Sequence, residues 1–367
     1  MITIPVYQPS LDGNEKKYVN ECLESTWISS KGKYIPLFEQ KFSEYTGVKY
    51  TTAVCNGTVA LHLSLLALGI GEGDEVIVPT LTYIASVNSI FYTGAIPVFV
   101  DSLMETWQMD PMDVKRKITP KTKAIMVVHL YGHPCEMDTL CGIARENGLF
   151  LIEDCAESFG ALYKGKHVGR FGDISTYSFY GNKTITTGEG GMVVTNDDTL
   201  YDRAIHFKGQ GLAKYREYWH DVVGYNYRMT NVCAAIGLAQ LEQADERIAK
   251  KIKIAEWYKT ELKDLPVVVH PEVGEVRHSY WMVSILVDNH LKRDLLRNVL
   301  TNGGIETRPL FYPVHTMPMY SEKYQKHPVA ENLGWRGINL PSWPGLQKEQ
   351  VEYICEKIRE YFIARGI

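Results

Sequence analysis

Apolar runs of strand length alternate with helix-like segments along about the first 245 residues, and this alternation limits the possible folds more than any other feature. Alternation of this kind is typical of a mainly parallel sheet that is covered by helices. Strands buried on both faces have nearly continuous apolar sequences. Seven runs predict strands: YTTAV (50–54), EVIVP (75–79), IPVFVD (96–101), AIMVVHLYG (124–132), LFLIED (149–154), ISTYSF (174–179) and GMVVTND (191–197).

A different pattern follows these strands. A helical pattern begins near Thr230 and continues through AAIGLAQLEQADERIAKKIKIAEWYKTEL with few helix breakers. Beyond it, YWMVSILVD, LKRDLLRNVLTNGG and KEQVEYICEKIREYFIARG predict a smaller α+β unit. A chain of 367 residues is long enough for two cores. We therefore predict a large domain over residues 1–245 and a small domain over residues 246–367.

The charge balance argues against nucleic acid as a partner. The chain has 39 Lys and Arg residues and 43 Asp and Glu residues, its formal net charge is −4, and the two signs are mixed along the sequence. Nucleic-acid binding requires a basic face. The longest apolar runs are shorter than the roughly 18 residues that a membrane span requires. We predict no membrane partner and expect a small-molecule substrate.

The first residues and the cysteines suggest a reducing compartment. The segment MITIPVYQPSLDG lacks the basic and apolar regions of a secretory signal, which predicts a cytoplasmic protein. The cysteines are odd in number and scattered, as is usual for unpaired thiols. No spacing among Cys and His residues resembles a metal site, and we predict none. The seven cysteines are Cys22, Cys55, Cys135, Cys141, Cys155, Cys233 and Cys355.

The segment CNGTVAL, between the first predicted strand and the next helix, offers a possible anion site. Gly57 lets the backbone approach a ligand, Thr58 supplies a hydroxyl, and the helix start supplies free N–H groups and a positive dipole end. The same residues also fit a helix in which Thr58 caps only its own backbone. Taken alone, the segment fits a simple cap at least as well as a phosphate site.

Asp154 lies at the end of the predicted strand LFLIED. A carboxylate at the tip of a buried strand is costly to desolvate unless it pairs with a cation or a donor. Asp154 therefore fits either a helix cap or the acid partner of a protonated ring nitrogen.

Lys183 lies in the glycine- and hydroxyl-rich segment STYSFYGNKTITTGEGG (175–191). A lysine buried among neutral groups has a lowered pKa, and its amine can attack an aldehyde. The alternative is a lysine on a surface turn. A phosphate-type helix start, a strand-end aspartate and a lysine, in this order on an α/β scaffold, together fit pyridoxal 5′-phosphate. This cofactor needs donors for its phosphate, which Ser178 can add to, an acid for its ring nitrogen and an amine for its aldehyde.

Four segments carry a family resemblance that spans nearly the whole chain. They are NGTVALHLSLLALGIGEGDEVIVPTLTYIASVNSI (56–90), the run from VHLYGHP to GMVVTND (128–197), GYNYRMTNVCAAIGLAQLE (224–242) and RPLFYPVH (308–315). In this order they resemble the DegT-type nucleotide-sugar aminotransferases, which depend on vitamin B6. The resemblance implies an aspartate aminotransferase-like fold, type I of the pyridoxal phosphate enzymes. Such a fold has a large domain with a mainly parallel seven-stranded sheet and a smaller C-terminal α+β domain.

The resemblance also implies roles for the two central side chains. Lys183 matches the family lysine that bonds to the aldehyde carbon of the cofactor and, once released, moves a proton between the substrate and the cofactor. Asp154 matches the aspartate that keeps the ring nitrogen protonated, so that the ring can accept electrons.

Five further residues match positions that hold the cofactor. The resemblance implies that Gly57, Thr58 and Ser178 bind the phosphate and that Asn226 reaches the phosphate from a neighbouring subunit. Tyr83 matches the aromatic residue that stacks on the ring, although an aromatic side chain at this position also fits simple core packing.

One position departs from the commonest family pattern. Residue 157 is Glu where many members have Gln near the phenolic oxygen of the cofactor, so Glu157 must either share a proton with that oxygen or accept from it. The resemblance also implies that Arg308, Tyr312 and His315 close over the nucleotide-sugar, because cations and donors suit a diphosphate.

The implied reaction moves an amino group from L-glutamate to the C4 keto group of a nucleotide-linked 4-keto-6-deoxy sugar, with GDP-4-keto-6-deoxy-D-mannose as the expected substrate and polysaccharide synthesis as its use. A homodimer or a higher homo-oligomer with shared sites is also implied. The alternatives are an aminotransferase for a UDP- or dTDP-linked keto sugar, a sugar 3-dehydratase and a non-catalytic regulator on the same fold. Lys183 argues against the dehydratase, in which histidine replaces the lysine.

Overall fold

The computed structural model describes residues 3–321, 325–364 and 366. Their strands are β1 (Tyr50–Val54), β2 (Glu75–Pro79), β3 (Ile96–Val100), β4 (Thr122–Val128), β5 (Phe150–Asp154), β6 (Leu162–Tyr163), β7 (Lys166–His167), β8 (Ile174–Ser178), β9 (Gly191–Thr195), β10 (Val268–Val269), β11 (Val276–Arg277), β12 (Val283–Leu286), β13 (Arg308–Pro309) and β14 (Gly337–Leu340). Their α-helices are α1 (Glu15–Glu24), α2 (Tyr34–Thr46), α3 (Gly57–Leu68), α4 (Ile84–Tyr92), α5 (Pro111–Arg116), α6 (Met137–Glu146), α7 (Asp198–Lys208), α8 (Asn231–Glu242), α9 (Ala244–Leu262), α10 (His290–Asn302), α11 (Pro328–Arg336) and α12 (Lys348–Ile363).

The seven predicted strands form one sheet in the order β1-β9-β8-β5-β4-β2-β3. Strands β8, β5, β4, β2 and β3 pair in parallel, and β9 runs antiparallel to both β8 and β1. The prediction of a mainly parallel seven-stranded sheet is therefore confirmed. Because β4, β5 and β8 are parallel neighbours, their carboxyl ends lie together at one edge, where ligands of such sheets bind.

Two predicted boundaries differ from the structure. The run AIMVVHLYG ends as a strand at Val128, because Leu130–Gly132 form a 3₁₀ turn in which Tyr131 and Gly132 have φ angles of 56° and 104°. The long helical pattern after Thr230 is two helices, α8 and α9, that meet at Gln243. Helices α1 and α2 were not predicted.

The C-terminal part is built on a four-stranded sheet in the order β10-β12-β14-β13, with α10 and α12 packed nearby. The N-terminal segment pairs with this part, since Ile4 and Ile305 form a parallel bridge and the Val6 N–H donates to Glu306 at 3.0 Å. Helix α9 contributes Ile248 to the core of the large part and Ile254 to that of the C-terminal part. The division at residue 245 therefore stays a prediction.

The described helices include none that has both the length and the apolar character needed to cross a bilayer.

Candidate active site

A cavity of about 620 Å³ opens at the carboxyl edge of the central sheet. The ends of β4, β5 and β8 and the start of α3 form its floor, and residues of the C-terminal part form the opposite wall. Eight of the residues predicted from the sequence line it: Gly57, Thr58, Tyr83, Asp154, Glu157, Ser178, Lys183 and Arg308.

Three predicted residues do not line this cavity. His315 is buried, with Nδ1 2.7 Å from the Thr80 hydroxyl and Nε2 3.4 Å from Glu331, so the predicted contact with substrate finds no support in this geometry. The Tyr312 ring packs 4.8 Å from that of Trp335. Asn226 is exposed, and its role toward a neighbouring subunit stays a prediction.

The start of α3 is shaped to receive an anion. The Asn56 side chain caps the helix by accepting from the Val59 N–H at 3.0 Å, which leaves other first-turn N–H groups at the cavity. A Cβ on Gly57 would lie 2.7 Å from the Ser178 Cβ, so the helix start and the end of β8 approach as closely as they do only because residue 57 is glycine. Free N–H groups, the helix dipole and the hydroxyls of Thr58 and Ser178 together suit a phosphate.

Asp154 is buried at the tip of β5 and is held on both oxygens. The Ser86 hydroxyl donates to Oδ2 at 2.7 Å, and the Ala156 N–H donates to Oδ1 at 3.0 Å. Burial raises the pKa of Asp154 above its usual range. The neighbouring Thr176 hydroxyl on β8 is buried without a hydrogen-bond partner among the described residues. A carboxylate in this setting is stabilised by a cationic N–H group placed in the cavity.

Lys183 lines the same cavity as Asp154. Its backbone is fixed on both sides, because its N–H donates to the Tyr180 carbonyl at 2.9 Å and its carbonyl accepts from the Tyr7 hydroxyl at 2.6 Å. Burial lowers the pKa of Lys183, although the nearby Glu157 and Asp154 carboxylates oppose this effect. A lowered pKa increases the fraction of neutral amine, which is the form that attacks an aldehyde.

Glu157 contacts the 3₁₀ turn after β4. The Tyr131 N–H donates to its Oε2 at 2.8 Å, and burial raises the pKa of Glu157 to about 7. The carboxyl group can therefore carry a proton near neutral pH. This is the property that a glutamate needs if it is to share a proton with a neighbouring oxygen.

The raised pKa of Glu157 predicts a pH-dependent difference in stability between the wild type and Glu157→Gln. The group binds its proton more tightly in the folded state, so its contribution to stability is complete below about pH 4.5 and is lost as the pH rises through about 7. We expect the cofactor-free variant to gain in free energy of unfolding relative to the wild type over this range, by up to about 3 kcal/mol. Urea unfolding at several pH values measures the difference.

The rim variant Glu189→Gln serves as the control for loss of a carboxylate, because Glu189 is exposed. A difference between Glu157→Gln and the wild type that is the same at every pH would show that Glu157 is not held in its protonated form.

A buried cluster behind Asp154 resembles a metal site in composition but not in bonding. The ligand atoms of His129, Glu153 and Cys155 lie within 4.8 Å of one another. Glu153 already accepts from three backbone N–H groups of residues 169–172 at 2.6–2.7 Å and lies 3.1 Å from the Nε2 of His129. The Nδ1 of His129 accepts from the Cys135 N–H at 3.0 Å. These bonds occupy the lone pairs that a metal would need, so the cluster is a hydrogen-bond network that fixes β5.

Comparison with known proteins identifies the family. The sequence profile of the DegT/DnrJ/EryC1/StrS aminotransferase family matches residues 9–359. The chain belongs to this family. Members of the DegT/DnrJ/EryC1/StrS family depend on pyridoxal 5′-phosphate, a group that carries a phosphate, a ring nitrogen and an aldehyde.

Relatives with high identity cover nearly the whole chain. GDP-perosamine synthase of Escherichia coli O157:H7 is 71% identical over 359 residues, which are 98% of each chain. GDP-perosamine synthase of Vibrio cholerae is 56% identical over 363 residues, which are 98% of this chain and 99% of the relative. Among solved structures, the aminotransferase TlmJ from Streptoalloteichus hindustanus has a TM-score of 0.94 at 30% identity, with full coverage of both chains.

The cavity fits the family cofactor on three independent features. The close approach of Gly57 to Ser178 brings donors together for a phosphate, the Lys183 amine suits an aldehyde, and Asp154 suits a ring nitrogen, as does the Thr176 hydroxyl, which is unpaired among the described residues. Sequence reasoning missed several residues of this cavity. Ser86 had a signal, since it lies three residues after Tyr83 at the start of a helix, but Trp281 comes from a distant segment. Tyr7, which does not line the cavity but donates to the Lys183 carbonyl, is also distant in sequence.

Proposed function

We propose that the chain transfers an amino group from L-glutamate to the C4 keto group of GDP-4-keto-6-deoxy-D-mannose, which gives GDP-perosamine. The observation that carries the proposal is the 71% identity to the E. coli GDP-perosamine synthase over 98% of both chains. It is supported by the cavity, which is lined by Gly57, Asp154 and Lys183. The product suits the synthesis of O-antigen or lipopolysaccharide, and we place the reaction in the cytoplasm.

In the proposed mechanism, bound pyridoxal 5′-phosphate supplies an electron sink that stabilises negative charge on the carbon losing its proton. Asp154 would hold the ring nitrogen protonated, because its buried carboxylate is more stable beside a cationic N–H. Gly57, Thr58 and Ser178 would bind the phosphate through backbone and hydroxyl donors. Tyr83, which is 56% exposed at the cavity, would pack against the ring.

Lys183 has two tasks in this proposal. Its neutral amine is the group that would hold the cofactor at its aldehyde carbon, with loss of water, and the freed amine would move a proton to and from the substrate carbon. Burial supports both tasks by lowering the pKa of Lys183. Glu157, with a pKa of about 7, can accept from or donate to the phenolic oxygen of the cofactor as required.

Arg308 supplies a cationic group at the cavity wall that can bind anionic groups of the substrates. Arg308 lines the cavity, its side chain is 53% exposed, and its guanidinium lies 3.5 Å from Glu306. A planar guanidinium suits either the carboxylate of glutamate or a diphosphate. Both substrates of a two-step transfer use the same site in turn, so we assign Arg308 to their anionic groups.

The proposed assembly is a homodimer or a higher homo-oligomer. Exposed apolar side chains cluster in the segment before Asn226, including Tyr215, Tyr218 and Val223, which are 74%, 92% and 86% exposed. Large apolar groups of this kind favour burial against another surface. A second copy that covers this segment would let Asn226 reach its phosphate site.

A panel of nucleotide-sugars tests the proposed substrate. We expect the purified enzyme, with glutamate as donor, to prefer GDP-4-keto-6-deoxymannose over UDP- and dTDP-linked 4-keto and 3-keto sugars by at least about 100-fold in kcat/KM, because unpaired polar groups penalise a wrong base strongly. Mass spectrometry of the amino-sugar product measures the preference. A preference for a UDP- or dTDP-sugar would overturn the assigned substrate and leave the aminotransferase family membership unchanged.

A further inference from the structure

The face of the Trp281 indole lies against the amine of Lys183. The Lys183 Nζ is 3.8 Å from the centroid of the Trp281 ring, and Trp281 is only 5% exposed. An ammonium group within about 6 Å of an indole face is attracted to its negative charge distribution. Within the described part of the chain, the amine has no hydrogen bond and no carboxylate within ion-pair distance. The indole is therefore its nearest stabilising partner.

Trp281 is held in place by contacts that do not involve Lys183. The indole N–H donates to the Asn182 carbonyl at 2.7 Å, directly before Lys183 in the chain. The ring lies nearly parallel to that of Tyr131, at 6.1 Å and 7°. A Cβ on Gly132 would lie 3.0 Å from the Trp281 backbone nitrogen, so this segment packs closely on the turn after β4. These contacts fix the indole independently of the Lys183 amine.

We propose that Trp281 is a positioning residue for Lys183, and that its indole face holds the free amine in the protonated form at the cavity wall. The inference rests on the proposed function for the role of Lys183. When Lys183 takes a proton from a carbon it becomes an ammonium ion, and this charge lasts until the proton is returned. The indole stabilises the charge over that interval, so the proton is retained by the lysine instead of passing to water.

Other charged groups face the amine and must be separated from the effect of the indole. Asp154 and Glu157 lie on the floor of the cavity, Glu189 lies at its rim, and Arg308 lies in its wall. The substitutions below leave all four groups in place, so a change in the proton affinity of Lys183 reports on the indole.

The test measures the protonation of Lys183 directly. Cofactor-free, full-length protein is mixed with pyridoxal 5′-phosphate over a range of pH, and the rate of appearance of the yellow covalent product is recorded by stopped flow. Only neutral amine reacts, so the midpoint of the profile reports the pKa of Lys183. Ionisations of the reagent are common to all proteins compared. We expect Trp281→Leu to move the midpoint down by about one pH unit and Trp281→Phe to move it by less.

Both substitutions lose the hydrogen bond to Asn182, so the difference between them isolates the aromatic face. Trp107→Phe is the matched control, because Trp107 belongs to the same apolar cluster but stacks on His270, and its midpoint will stay unchanged. A merely structural role predicts more water at the amine and a midpoint that rises. Midpoints of both Trp281 variants that equal or exceed the wild-type midpoint overturn the inference. The proposed function is unaffected by that outcome. A wild-type protein that forms no yellow product overturns both.

Discussion

Lys183→Ala protein will still bind pyridoxal 5′-phosphate, but it will form no covalent bond with it and will lose amino transfer by at least about 10⁴-fold. The phosphate site and Asp154 do not depend on the lysine side chain, so the variant keeps the cofactor. In the proposed function the Lys183 amine is the group that bonds to the aldehyde and moves the proton, and the cavity holds no second lysine among the described residues. The absorption spectrum before and after addition of glutamate measures the loss, since the yellow wild type will bleach and the variant will not.

Lys251→Met is the matched control for this experiment. Lys251 is buried, with a pKa lowered to about 7 by burial, but its amine donates to the Ser342 carbonyl outside the cavity. Methionine keeps the length of the side chain, and we expect this variant to remain yellow and to bleach with glutamate. Bleaching of Lys183→Ala at the wild-type rate would exclude Lys183 as the reacting amine.

The positions of the central strands were predicted closely because each buried parallel strand is a separate apolar run. The run AIMVVHLYG was predicted too long, since a 3₁₀ turn composed of Leu, Tyr and Gly continues the apolar pattern after the strand has ended at Val128. Helix α1 was missed because it buries only Glu15 and Cys22 and so lacks an apolar stripe. Helix α2 did carry a signal, in the four-residue spacing of Tyr34, Phe38 and Phe42.

The floor of the site was predicted because its residues lie in three segments with recognisable chemistry, at Gly57, Asp154 and Lys183. The opposite wall was not predicted, since Trp281 belongs to the C-terminal part and contacts Lys183 only in the folded chain, where its segment packs closely on Gly132. Tyr7 likewise reaches the Lys183 carbonyl from a segment 176 residues away in sequence. Local sequence patterns contain no information on such long-range contacts. Residues of the RPLFYPVH segment were predicted as a group, but of Arg308, Tyr312 and His315 only Arg308 lines the cavity.

Asp154→Asn will bind the cofactor with nearly unchanged affinity and will transfer amino groups about 100- to 1,000-fold more slowly. Asparagine has the shape of aspartate and can still accept from the Ala156 N–H through its oxygen. It carries no charge, however, and cannot keep a ring nitrogen protonated, so the ring accepts electrons less well. The single-turnover rate of bleaching with glutamate measures the chemical step separately from binding.

Rescue distinguishes a direct role of Asp154 from a structural one. A cofactor analogue methylated at the ring nitrogen carries a permanent positive charge, so it no longer needs the carboxylate, and we expect it to restore much of the rate of Asp154→Asn. Ser86→Ala removes only the 2.7 Å hydrogen bond to the carboxylate. We expect this variant to react only about tenfold more slowly than the wild type, because the charge of Asp154 remains. If Asp154→Asn reacts at the wild-type rate, or if the methylated analogue restores nothing, the carboxylate does not act on the ring nitrogen. Its burial at the tip of β5 would then serve the cap on Ala156 alone.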